Sequence, residues 1–109
     1  MRQFIDIVEQ QDLFEMTNIR QARTGLPYMV FVSPRGGAQH DARIKVRLPS
    51  NEFATVGLRP EVRIIHGDIP AKDFEQIKKW AELNMAALLE FWNSEDMDSA
   101  DIISMLKSI

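Results

Sequence analysis

Between Asp41 and Leu48 the sequence reads DARIKVRL, and its apolar and charged residues alternate without a break. Successive side chains of a β-strand point to opposite faces. Ala42, Ile44, Val46 and Leu48 therefore share one face, and Asp41, Arg43, Lys45 and Arg47 share the other. This is the clearest period-two signal in the chain. It predicts a strand with one dry face and one wet, basic face.

The flanking segments supply its neighbours. LPYMVFV, residues 26–32, is a short and nearly continuous apolar run that reads as a buried strand. Pro27 fits its start, where no ladder donor is needed. Ser33-Pro34-Arg35-Gly36-Gly37 is a loop by composition, and Pro49-Ser50-Asn51-Glu52 is a turn. Phe53 to Leu58 and Val62 to Ile65 are further strand candidates, separated around Pro60. Residues 26–66 thus predict an antiparallel meander of three to four strands.

After His66-Gly67-Asp68-Ile69-Pro70 the period changes. Pro70 suits a first helical turn, and Asp68 or Asp73 can face the positive end of a helix. Phe74, Ile77, Ala81, Leu88 and Phe91 recur at helical spacing, with Asn84 interrupting the stripe. One long helix is expected from near Ala71 to Trp92 or Asn93. Asp98 or Ser99 caps a last short helix carrying Ile102, Ile103, Leu106 and Ile109. Near the start, Phe4, Ile5, Ile7 and Val8 fit either a short strand or the beginning of a helix, and residues 13–19 alternate only loosely. The expected fold is α+β: a small antiparallel sheet, then one long and one short C-terminal helix. No linker divides the chain, so residues 1–109 are expected to form a single domain, with an N-terminal segment 1–25, a sheet 26–66 and a helical part 70–109.

Length and composition bound the function. A chain of 109 residues, 45% apolar and 27% charged, can bury one modest core. The absence of cysteine removes disulfides, thiolate metal sites and cysteine nucleophiles. No apolar run approaches the roughly 18 residues that a membrane span needs. The opening MRQFIDIVEQQ carries Asp6 and Glu9 where a signal peptide would have its apolar core. A soluble cytoplasmic protein is expected, with no membrane contact.

The net charge of −3 hides a segregation. Residues 1–15 hold one base against four acids. Residues 16–63 hold eight bases against three acids, and residues 64–109 four bases against nine acids. Arg43, Lys45 and Arg47 form a ladder on the wet strand face, which Arg35, Arg59 and Arg63 could join. Such a stripe can neutralise nucleic-acid phosphates. No stacking aromatics interleave with it along the strand. The stripe can equally stay solvated, or lie under acidic groups of the C-terminal helices. The Gly36-Gly37 pair lacks the lysine, hydroxyl and following helix of a phosphate-binding loop, so a turn is expected there.

His40 and His66 are the two histidines. With Lys45 they have the right chemistry for metal-free acid–base cleavage of RNA, as proton donor, proton acceptor and charge stabiliser. His40, Asp41, His66 and Asp68 are metal-ligand types at weak spacings. No metal and no cofactor is expected. WAELNMAALLEFW, residues 80–92, is apolar around most of a helical circumference, so such a helix is buried on more than one side. Trp80, Leu83, Met85, Leu88, Leu89 and Trp92 are the candidate interface residues, with Asn84 fixing register.

With these elements placed, the C-terminal two-thirds resemble a family of small prokaryotic proteins, the DUF4160-type domain. The likeness rests on the strands around Ala38 to Leu48 and on GDIPAKDFEQIKKWAELNMAALLEFW after them. Trp80, Glu82-Leu83, Leu88-Leu89 and Trp92 stand where the family has a tryptophan, a Glu-Leu step, a Leu-Leu pair and a second tryptophan. The family's histidine- and proline-rich approach to its second strand is reduced here to His40. The resemblance implies a small α+β domain, often encoded beside another small protein in a toxin–antitoxin-like pairing. The expected function is a non-enzymatic interaction module whose partner is a second copy or a small protein. The alternative is a nucleic-acid-binding or RNA-cleaving protein that uses Arg43, Lys45, Arg47 and His40, with Arg35 and Arg63 as further binding residues.

Overall fold

The computed structural model describes residues 16–109. Among them the chain forms β1 (Thr17–Ile19), α1 (Gln21–Thr24), β2 (Met29–Val32), β3 (Arg43–Arg47), β4 (Phe53–Gly57), β5 (Arg63–His66), α2 (Ala71–Leu83), α3 (Met85–Asn93) and α4 (Ser99–Met105). The strands make one antiparallel sheet in the order β1-β2-β3-β4-β5. The α+β class is as expected, but the strand count is five rather than three to four. The additional strand is β1, which lies in the segment set apart as N-terminal. Its Thr17-Asn18-Ile19 is too short to display a period. The alternatives for Phe4, Ile5, Ile7 and Val8 lie outside the described residues.

Alternation in β3 decides which side of the sheet is covered. Ile44 and Val46 point to the same side as Val30, Val32, Ala54 and Val56, and all six are buried. Against this side pack Ile77, Trp80 and Ala81 of α2, Leu88, Phe91 and Trp92 of α3, and Ile102 of α4. The result is two layers, a sheet and a helical cover, around one apolar core.

The expected long helix is two helices. Asn84 leaves helical geometry at φ −106° and ψ 13°, and it is buried. Its Nδ2 donates to the carbonyls of Trp80 (3.0 Å) and Lys107 (2.9 Å), while its Oδ1 accepts from the Lys107 amide at 2.7 Å. The side chain thus straps the C-terminal tail across the helix break. A further bond holds that tail, Ile109 donating its amide to the Thr24 carbonyl at 2.9 Å, and Arg23 Nη2 ties α4 to α1 by donating to the Ile103 carbonyl at 2.6 Å. Gly25, in the left-handed region at φ 81°, closes α1 where the Ile109 carbonyl comes too near for any Cβ. Of the two expected caps, Asp98 and Ser99, it is Asp98 that caps α4, in a reciprocal capping box with Asp101.

Tyr28, the chain's only tyrosine, ties sheet to helices. Its phenol donates to Asp73 Oδ2 at 2.6 Å, in the first turn of α2. Burial, and then this carboxylate, push the phenol up to about 12 from its ordinary 10. A proton held more tightly in the fold than in the unfolded chain stabilises the fold below pH 10, and that stability is lost as pH rises from 10 towards 12. Alkaline titration of the tyrosinate ultraviolet band should therefore show no ionisation near pH 10 until the chain unfolds. Tyr28→Phe should remove this late ionisation and cost roughly 1–3 kcal/mol, read by denaturant unfolding.

Candidate functional site

The side of the sheet away from the helices carries the basic residues. Register across the strands sets Asn18, Phe31, Lys45, Thr55 and His66 in one row. A second row holds Met29, Arg47 and Phe53, and a third holds Arg43, Gly57 and Arg63. The bulge between the β4 residues Thr55 and Val56 leaves Ile65 between its neighbours, and Gly57 makes room for that side chain. Arg47 and Arg63 are exposed, whereas Arg43 and Lys45 are half-buried with their stems on the sheet.

Aromatic rings do interleave with this ladder, contrary to the reading along β3 alone. Phe31 and Phe53 meet edge to face at 5.3 Å, and the Arg47 guanidinium lies 5.9 Å above the Phe53 ring. Phe31 is buried and stands outside the helix-side core, while Phe53 is half-buried. Each ring shares the parity of Lys45 or Arg47 through pairing with β3, which a single-strand reading does not reveal.

The acidic helices do not cover the ladder. Their apolar stripes pack on the other side, so Asp73, Glu75, Glu82 and Glu90 belong to the opposite layer. Among the described residues the sole ion pair joins Arg59 to Asp41, two exposed side chains. Arg59 Nε and Nη2 grip the two carboxylate oxygens at 3.2 and 2.5 Å, and this bond holds the Asp41 carboxyl below its ordinary range. Arg59 is therefore committed, while Arg43, Lys45 and Arg47 make no ion pair with a described residue. Arg63 Nη1 donates to the Arg59 carbonyl at 2.6 Å.

The two histidines lie in different places. His40 lines a cavity of about 400 Å³ with Ser33, Arg35, Arg43 and Lys45. Its ring is tilted against Trp92 at 5.5 Å, and its Nδ1 donates to the Asp41 carbonyl at 2.9 Å. His66 lines a second cavity of about 450 Å³ with Lys45, Glu52, Phe53 and Thr55. Lys45 borders both cavities, but His40 and His66 share neither, so they do not form one acid–base pair around one phosphate. Among the described residues no three of His, Cys, Asp and Glu converge, and His40, Asp41, His66 and Asp68 are not gathered.

The helical candidates for an interface are largely spent on the chain's own core. Trp80, Leu88 and Trp92 are buried beneath the sheet, and Met85 and Leu89 pack partly against the same core. Leu83 alone of the six stands out, at 50% exposure. Asn84 fixes the chain's own tail rather than the register of a partner. No helix among the described residues is long and apolar enough to cross a membrane.

No curated protein and no solved structure matches the chain. A family model, described as "Domain of unknown function (DUF4160)", matches residues 39–93. The match opens at Gln39, beside His40, and closes at Asn93, the last residue of α3. It takes in β3, β4, β5 and the helix pair, and with them Arg43, Lys45, Arg47, Arg63 and His66. These residues make up more than half of the 109, and the chain belongs to the DUF4160 family.

Proposed function

We propose that this chain is a non-enzymatic nucleic-acid-binding module that takes single-stranded nucleic acid across the face of its sheet opposite the helices. The observation that carries the reading is the separation of charge between the layers. Arg43, Lys45, Arg47 and Arg63 stand on one side of the sheet, and the acids of α2 and α3 stand on the other. Regularly spaced cations can follow a phosphate backbone, and the Arg47–Phe53 pair offers a flat surface for a base. Fluorescence anisotropy with a labelled single-stranded oligonucleotide tests the reading. Binding is expected at about 50 mM salt, falling steeply as salt rises, and no binding at low salt would sink it.

A second reading, a protein-interaction module of the toxin–antitoxin-like kind, is favoured by the edge of the sheet. Ile64 and Ile65 of β5 are 37% and 47% exposed on a strand paired only on its β4 side among the described residues. Exposed edges are templates for strand addition by a second copy or a small partner. On this reading sedimentation at micromolar concentration gives a dimer, and Ile65→Lys returns it to monomer. A wild-type monomer that purifies without a partner removes the reading.

A further inference from the structure

The cavity beside His40 differs from the cavity beside His66 in the charge of its lining. Arg35, Arg43 and Lys45 line it with His40 and Ser33, and among the described residues no acidic side chain lines it. The comparable cavity beside His66 includes Glu52. One wall is the loop 33–40, whose Pro34, Arg35, Gly37 and Ala38 also line a further cavity with Trp92 and Asn93. That loop is fixed to the helical layer, because the Arg35 amide donates to the Trp92 carbonyl at 2.8 Å. The Ala38 amide in turn donates to the Arg35 carbonyl at 2.8 Å. The ladder Arg43, Lys45, Arg47 starts inside the cavity and runs away from the wall along β3.

We infer that this cavity is a pocket for the terminal phosphomonoester of a nucleic-acid strand lying along β3. The inference rests on the proposed nucleic-acid reading and adds to it an end preference. An internal phosphodiester carries one negative charge. A terminal phosphate carries between one and two at neutral pH and has three strong acceptor oxygens. Three cations, two of them arginines, suit the more highly charged group, and arginine's paired donors match its geometry. A strand that follows the ladder towards the loop meets a wall there, so an end fits better than a continuing chain.

The test compares identical single-stranded oligonucleotides bearing a 5′-phosphate, a 3′-phosphate or hydroxyls at both ends, at about 50 mM salt. At least one phosphorylated end should bind about tenfold more tightly than the hydroxyl form, and the favoured end gives the strand's polarity along β3. Arg35→Ala should bring that ratio close to one. Arg47→Ala, outside the cavity, should weaken all three oligonucleotides together and preserve the ratio. Equal binding of all three in the wild type overturns the pocket and leaves the nucleic-acid reading standing. A ratio that survives Arg35→Ala also overturns it. Failure of every oligonucleotide to bind removes both.

Discussion

Asn84→Ala should destabilise the chain by roughly 2–4 kcal/mol, one of the largest losses for any single polar residue in it. The side chain makes three bonds, and each has a backbone partner at the helix break or in the tail. Alanine leaves the Lys107 amide and carbonyl without partners at a partly buried place. Backbone groups stranded in this way cost about 1–3 kcal/mol each, less whatever water reaches them. Chemical denaturation of the wild type and the variant measures the difference. The near-isosteric Asn84→Asp separates bonding from volume. It keeps the acceptor for the Lys107 amide but sets a buried carboxylate against two carbonyl oxygens. Burial would raise that carboxyl above its unfolded value, so the variant's stability should fall as pH rises through the raised pKa. A loss below about 0.5 kcal/mol in the alanine variant would show that the strap contributes little.

Asn84 also shows where sequence reasoning stopped. Periodicity continues through it, since Leu88 and Phe91 keep the stripe of Phe74, Ile77 and Ala81, so a single helix was the natural reading. A buried polar residue within an apolar stripe signals a bond to something, but its partner lies at Lys107, 23 residues away. Only the folded chain brings that partner near. The strand β1 was hidden for a different reason. Three residues cannot display a period of two, and Thr17–Ile19 becomes a strand because β2 offers it an edge. The strongly patterned parts were legible: β2, β3 and β4 lie within the predicted segments, β5 runs one residue past its own, and Asp98 is one of the two residues expected as a cap.

The candidate site was half legible for the same reason. Parity within β3 put Arg43, Lys45 and Arg47 on one face without any knowledge of the fold. It could not bring in Phe31, Phe53, Thr55 or His66, because inter-strand register depends on loop geometry as well as pattern. The suggestion that acidic helices cover the basic face was open to correction from the same parity. A helix packs by its apolar stripe, so α2 and α3 must lie on the side of Ile44 and Val46. The alternation that makes one face basic therefore keeps the acids of α2 and α3 away from it.

That separation leads to the other large expected effect. Replacing Arg43, Lys45 and Arg47 together by glutamine should lower affinity for a single-stranded oligonucleotide several hundredfold at about 50 mM salt, without unfolding the protein. Counterion release gives about −0.7 in the log–log salt slope per phosphate neutralised on a single strand. If Arg43, Lys45, Arg47 and Arg63 each meet one phosphate, the wild-type slope is about −3 and the triple variant's is about −0.7. At low salt each contact is then worth a little under tenfold, and three multiply to the stated loss. Glutamine preserves the length that covers the sheet, and all three side chains are at least partly exposed, so the thermal midpoint should scarcely move. Charge alone must not explain the result. Lys78 and Lys79 are exposed on α2, in the opposite layer. Changing both to glutamine removes two positive charges from the molecule but not from the sheet, and should alter affinity less than about twofold, given screening over roughly 10 Å at moderate salt. A comparable loss from the α2 pair would mean that binding follows net charge. Unchanged binding by the triple variant would mean that nucleic acid sits elsewhere on the chain.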